Sequence, residues 1–396
     1  MAWIRLRDIE SPPMNPSDAL TRRQWLMSTG ATLAGVALSS RLLNFEAQAQ
    51  MMSPERLAAT APVKARLSLN ENPFGPSPAA REAILRSLAA GKACRYPYGE
   101  AGELVGLIAK KEGVPPDHIV LGIGSGEILD TVGGHFGLLK GEVIYAAPGY
   151  LQLPNAVRNL GGTVVPVPVN AKQEHDLAAM ASAITKPNTV VYLANPNNPT
   201  GTVVDTAALR SFVREAAARA FVFLDEAYLD IAADFAGRTL AGMVRDTPNL
   251  LVARTFSKIY GLAGLRIGYA VTSPKFAATL RSYGLGTLAY PGVMAAIASL
   301  QDEGYVATAR AQIVAEREKL LALLRELKRP YAEPQGNFVF FQTGRPHAEV
   351  QAALMKESVA IARAFPPMLD WARITIGLPE ENTLAREALR KVLGGS

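Results

Sequence analysis

Lysine, aspartate, arginine and asparagine side chains occur in four short stretches: Asn195-Pro-Asn-Asn-Pro-Thr-Gly201, Leu224-Asp-Glu-Ala-Tyr228, Thr255-Phe-Ser-Lys258 and Gly264-Leu-Arg-Ile-Gly268. An amine, a carboxylate and a guanidinium gathered in one crevice can hold an anionic small molecule and move protons on it. Each stretch alone has an ordinary explanation. Asn-Pro-Asn-Asn-Pro-Thr-Gly is turn chemistry, Asp-Glu after an apolar run is a common strand exit, and a lysine after Phe-Ser is usually solvated. A fifth stretch, Gly124-Ser-Gly-Glu127, follows an apolar run and opens a helical one. Ser125 and Gly126 there offer backbone N–H groups that suit a phosphate. It is not the dinucleotide G-x-G-x-x-G, because counting from Gly122 the last position is Glu127.

The elements that must position these groups can be read from the same sequence. Short β-branched runs at 119–122, 142–147, 163–169, 189–194, 221–224, 250–255 and 266–271 alternate with amphipathic stretches. That alternation predicts an α/β architecture with a mostly parallel sheet, covered on both faces where the runs are continuously apolar. The chemical stretches fall at the carboxyl ends of predicted strands or just beyond, where open α/β sheets bind ligands. From about Ala295 one long helix is expected to reach Lys328. Strands at 337–342, 359–364 and 373–376 follow, with helices at 346–357 and 380–392 between and after them, as in a smaller α+β domain. The expected division is residues 119–295 for a large domain and 296–396 for the long helix and small domain, with 50–118 packing against the latter.

The chain has 396 residues, 49% of them hydrophobic and 19% charged, which excludes a disordered protein. Its charge of +6 is spread among 41 basic and 35 acidic residues without a basic run, so nucleic acid is not implied. The single cysteine, Cys94, forms no intrachain disulfide and reads as a structural residue beside a glycine-rich turn. His118, His135, His175 and His347 lack metal-ligand spacing, so no metal site is expected.

At the front, Arg22-Arg23, a mildly apolar stretch at 28–40 and Ala47-Gln48-Ala49 have the layout of a cleavable leader over residues 1–49. The apolar part falls short of the roughly 20 residues a spanning helix needs, so no stable membrane anchor is expected. The paired arginines resemble a twin-arginine signal, which implies export by the Tat machinery to the periplasm; a disordered tail on a cytoplasmic protein is the alternative.

Taken together, the stretches resemble the fold-type I pyridoxal-phosphate aminotransferases, in particular the histidinol-phosphate aminotransferase-like branch. The likeness spans 67–392 and includes Leu69-Asn-Glu-Asn-Pro-Phe-Gly75, Arg95-Tyr-Pro97, Gly124-Ser-Gly-Glu127 and Arg373-Ile-Thr-Ile-Gly-Leu-Pro-Glu-Glu-Asn382. It implies a large domain with a mostly parallel sheet, a smaller α+β domain, and pyridoxal 5'-phosphate as cofactor. By this resemblance Lys258 forms the Schiff base and shuttles the substrate proton, and Asp225 pairs with the pyridine nitrogen. Asn198 and Tyr228 bond the ring's phenolic oxygen, and Tyr150 stacks on the ring. Ser125, Gly126, Ser257 and Arg266 bind the phosphate. Tyr96 reaches the phosphate of a neighbouring subunit, which implies a homodimer. Arg373 grips the substrate carboxylate, Arg363 falls where a substrate phosphate is bound, and Asn72 and Asn337 line the substrate side.

The implied reaction moves an amine from an amino acid or histidinol phosphate to a 2-oxo acid such as 2-oxoglutarate. Two departures bear on the donor: Gly377-Leu378 replaces a Gly-Thr pair, and Gly286-Thr-Leu-Ala-Tyr-Pro291 replaces a Pro-Tyr-Asn type of loop. Arg363-Ala-Phe-Pro-Pro also departs from the usual Arg-Pro-Phe or Arg-Asp context. An aromatic or other amino-acid aminotransferase, a decarboxylase with the same cofactor, and a non-catalytic binding module remain as alternatives.

Overall fold

The computed structural model describes residues 63–394 apart from Ala233, so the leader-like segment 1–49 lies outside the described residues. Its strands are β1 (Ala65–Leu67), β2 (Ile119–Ile123), β3 (Glu142–Ala147), β4 (Thr163–Pro168), β5 (Thr189–Ala194), β6 (Phe221–Asp225), β7 (Leu250–Thr255), β8 (Ile267–Thr272), β9 (Phe338–Gln342), β10 (Val359–Ile361) and β11 (Trp371–Thr375). Seven form one sheet in the order β2-β8-β7-β6-β5-β3-β4. All but β8 share one direction, and β8 lies antiparallel between β2 and β7.

The strands β5, β6, β7 and β8 are buried along their whole length. Alternate residues feed two hydrophobic layers: Val191, Leu193, Val222, Leu224 and Val252 on one face, Val190, Tyr192, Phe223, Leu251 and Ala253 on the other. Strand β4 is the partly exposed edge, and there the two prolines Pro166 and Pro168 cost no interior ladder bonds.

The reversed strand changes how the site is built. Arg266 and Gly268 lie at the amino end of β8, not beyond the carboxyl end of a parallel strand. Because β8 runs backwards, that end meets the carboxyl ends of β2 and β7, with Gly122 opposite Gly268 and Thr255 opposite Gly268 on the other side. A glycine is required at 268, since a Cβ there would stand 2.2 Å from the Ser125 nitrogen.

The long helix expected from Ala295 to Lys328 is two helices, Tyr290–Leu300 and Glu303–Glu326. Asp302 separates them: its carboxylate accepts from the Tyr305 N–H at 3.1 Å and caps the second helix. Among the described residues two small sheets accompany the large one, β9 with β11 antiparallel and β1 with β10 parallel. Helix Pro78–Ala89 packs on Tyr290–Leu300. Cys94 is exposed, in a short turn after Gly91. No helix among the described residues is long and apolar enough to cross a membrane.

Candidate active site

The carboxyl ends of β5, β6 and β7 lie side by side, so the residues leaving them converge. Asp225 closes β6, opposite Ala194 of β5 and Ala253 of β7. Its carboxylate is buried, Oδ1 accepting from the Ala227 N–H at 3.0 Å and Oδ2 from the Tyr192 hydroxyl at 3.2 Å. Burial pushes this acid up to about 6, against the pull of those two donors and of Lys258. The Lys258 amine lies 3.3 Å from the Leu69 carbonyl and 5.4 Å from the centre of the Tyr228 ring.

Tyr228 is held from two loops, one after β1 and one after β5. Its hydroxyl accepts from Asn70 Nδ2 at 3.1 Å and from Asn198 Nδ2 at 3.4 Å. Asn198 in turn accepts from Arg373 Nη1, while Arg373 Nη2 donates to the Ser68 carbonyl at 2.7 Å. Arg373 is buried, and its Nε has no partner among the described residues. Burial lowers this guanidinium to about 10, an unusual cost for an arginine that a bound anion would offset. The ring of Phe365 lies under both Arg373, at 5.0 Å, and the exposed Arg363, at 4.5 Å. Two cations therefore share one aromatic ring.

The anion turn is equally defined. Gly124 has φ +70°, and a Cβ on it would come within 2.3 Å of Arg266 Nη2, so the guanidinium rests on bare backbone. Arg266 Nη1 also reaches Ser257 Oγ at 3.4 Å, and Ser125 and Gly126 begin the helix Gly124–Leu138. The Tyr150 hydroxyl donates to Gln152 Oε1 at 2.8 Å, and Gln152 Nε2 donates to the Gly126 carbonyl at 3.0 Å. Burial beside Asp225 and Tyr228 pushes the Tyr150 phenol up to about 12, so it stays protonated as a donor.

The structure thus brings together Lys258, Asp225, Tyr228, Asn198, Arg373 and Arg363, and beside them Ser125, Gly126, Ser257, Arg266 and Tyr150. Asn72 and Asn337 are placed in the framework: Asn72 Nδ2 donates to the Ile259 carbonyl at 2.7 Å, and Asn337 Nδ2 to the Glu71 carbonyl at 2.9 Å. Tyr96 stands on the surface, 72% exposed, beside the ring of Tyr98.

Four contributors were not foreseen: Asn70, Gln152, Tyr192 and the contacts of Glu127. Asn70 lies inside the quoted Leu69-Asn-Glu-Asn motif, but spacing alone does not separate its role from that of Asn72. Glu127 accepts from the Ile123 and Gly286 N–H groups, each at 2.7 Å, and so ties the unusual loop at 286 to the anion turn.

Residues 62–389 match the family described as aminotransferase class I and II. The chain is 37% identical over 330 residues to a histidinol-phosphate aminotransferase of Limosilactobacillus fermentum, covering 82% of this chain and 90% of that protein. It is 36% identical over 347 residues to an aromatic amino acid aminotransferase of Streptomyces avermitilis, covering 85% and 93%. Among solved structures it is similar to a histidinol-phosphate aminotransferase from Sinorhizobium meliloti in complex with pyridoxal-5'-phosphate. The TM-score is 0.76 at 28% identity, over 86% of this chain and 94% of that one.

Proposed function

The chain belongs to the class I and II aminotransferase family, and from that premise we propose that its donor is histidinol phosphate, with 2-oxoglutarate or a similar 2-oxo acid as acceptor. The reaction class is pyridoxal-phosphate-dependent transamination. The residues fit that cofactor: the bare backbones of Gly124 and Gly268 let the Arg266 guanidinium and the Ser125 backbone come together as donors for a phosphate, and Asp225 offers a buried carboxylate to a protonated ring nitrogen.

Ser125, Gly126, Ser257 and Arg266 would hold the phosphate, Tyr150 the ring face, and Asn198 and Tyr228 the phenolic oxygen. When bound, the cofactor supplies an electron sink for the charge left as the donor's α-carbon is deprotonated. Lys258 Nζ removes that proton. Asp225 must be ionised for its part, which the Ala227 and Tyr192 donors favour. Arg373, whose guanidinium lies 5.5 Å from the centre of the Phe338 ring and 5.0 Å from that of Phe365, orients the substrate's anionic end.

The observation that carries the donor assignment is the pair Arg373 and Arg363 on one Phe365 ring. Histidinol phosphate has no α-carboxylate, so its phosphate is the only anion available to them. A second reading, an aromatic amino acid as donor, is favoured by the aromatic walls Tyr150, Phe338 and Phe365 and by the Streptomyces avermitilis relative.

Mixing the yellow, cofactor-loaded protein with single donors tests this. Histidinol phosphate is expected to bleach it fast, and Arg363→Gln to raise KM for that donor about ten- to hundred-fold with kcat little changed. Bleaching by aromatic amino acids with histidinol phosphate inert would overturn the first reading in favour of the second. Carbon dioxide released from a donor would point to a decarboxylase.

We also propose a homodimer in which Tyr96 reaches the cofactor phosphate of the second copy, a reading supported by its high exposure on one chain. A monomer in sedimentation that binds the cofactor fully would refute it. Residues 1–49, finally, are proposed to export the folded protein to the periplasm through the twin-arginine pathway. The expected result is a shortened amino terminus after expression in a Tat-competent host, abolished by Arg22→Lys with Arg23→Lys; an intact terminus in the cytoplasm would refute it.

A further inference from the structure

We infer that Tyr192 is a positioning residue for transamination: its hydroxyl fixes the Asp225 carboxylate in one orientation and keeps it ionised for the cofactor's ring nitrogen. The inference rests on the cofactor reading of the site. Tyr192 lies on β5, two residues before the end of the strand, and Phe223 is its partner on β6. Its ring is 2% exposed and packs edge-on against Phe223 at 5.6 Å between centres. Phenylalanine would fill that space equally well. The hydroxyl is therefore not needed for packing, and a buried hydroxyl is costly unless it is used.

Its use is the 3.2 Å bond to Asp225 Oδ2. An ionised carboxylate has about four acceptor sites. The Ala227 N–H takes one on Oδ1 and Tyr192 one on Oδ2, so the rotation of the group is set from both oxygens while acceptor capacity remains for a ligand. The other titratable groups facing the pair are Lys258, Tyr150 and Tyr228. Of these Lys258 alone brings a positive charge, and it acts through space. Removing the Tyr192 hydroxyl leaves Asp225 with one hydrogen-bond donor of the two, and burial then pushes the acid further up.

The sign follows. Asp225 binds a protonated ring nitrogen only when ionised, so cofactor affinity falls as pH drops through the aspartate's pKa. In Tyr192→Phe that fall begins at higher pH. Titrating full-length apoprotein with pyridoxal 5'-phosphate by visible absorbance should show the midpoint moved up by about one pH unit. Affinity should be about five-fold weaker near pH 6 and within about two-fold of wild type in mild alkali.

An analogue with carbon in place of the ring nitrogen should show no such shift, and in an Asp225→Asn background Tyr192→Phe should have no pH-dependent effect. Superimposable curves for wild type and Tyr192→Phe would overturn the inference. So would an equal loss of affinity at every pH with a lower melting temperature, which would assign Tyr192 to packing. If wild type itself fails to bind the cofactor, the reading of the site falls first.

Discussion

Lys258→Ala is expected to fold and to hold the cofactor by its phosphate, yet to turn over amino donors slower by at least about four orders of magnitude. No nearby group can replace the amine. The side chains around it are phenols, amides and a carboxylate already engaged: Tyr228 with Asn70 and Asn198, Asp225 with Tyr192 and Ala227. Stability should change little, because among the described residues the lysine makes one long bond to a backbone carbonyl and no ion pair. Borohydride treatment offers a second readout. It should fix the cofactor covalently to wild type and leave the variant unlabelled by mass, and a labelled variant with normal turnover would remove Lys258 from the mechanism.

Arg254→Ala should have the largest effect on stability. The guanidinium, four residues before Lys258, is buried among three carboxylates: Asp230 at 2.6 Å, Glu226 at 3.4 Å and Glu112 at 3.6 Å. Glu226 directly follows Asp225, so the network lies immediately beneath the site. Removing one partner of a buried ionic group costs about 3–5 kcal/mol, mostly because the remaining charges are stranded.

The pH dependence separates this from a simple cavity. Burial already pushes Glu226 up to about 7, whereas Arg254 and Lys111 hold Asp230 below its usual range. A carboxylate with a depressed folded pKa lends stability that is lost as pH falls through that pKa. One with a raised pKa costs stability as pH rises through it. Without Arg254, the chief charge holding Asp230 down is gone, and Glu226 and Glu112 lose the same cation. Glu226 then belongs still more to the second kind, and Asp230 keeps only the more distant Lys111, at 3.8 Å, of the two. The variant's melting temperature should therefore rise on going from pH 8 to about pH 6, as protons neutralise the stranded acids. A variant melting with wild type at every pH would show that the network contributes nothing.

The chemistry of the site was legible in the sequence because each motif is local. Asn198, Asp225 and Lys258 follow apolar strands whose period is plain, and the glycines around Ser125 mark a turn into a helix. The rule that ligands gather at strand ends puts those residues in one crevice, and their roles came from the family resemblance that the motifs carry together. The mostly parallel sheet followed from the alternation of strands with helical stretches. What periodicity does not carry is strand direction, so the antiparallel β8, and with it the placement of Arg266 against Gly124, came from the tertiary structure. The break at Asp302 escaped because the polar run Gln301-Asp302-Glu303-Gly304 has the length of one exposed helical turn between two helical patterns, and only the cap reveals the boundary.

The supports of the site were decided by packing alone. Asn70 and Tyr228 lie 158 positions apart, and Asn198 and Arg373 lie 175 apart. Tyr192 reads in the sequence as one more apolar strand residue, yet the register of β5 on β6 places its hydroxyl on Asp225. Likewise Arg254, Glu112, Glu226 and Asp230 look like scattered surface charges until the fold buries them together. The sequence by itself determined which functional groups this protein has and at which strand ends they emerge, since bonded geometry carries that information along the chain. Which partner each group meets, and so its charge state and orientation, is a matter of through-space contact that only the folded chain defines.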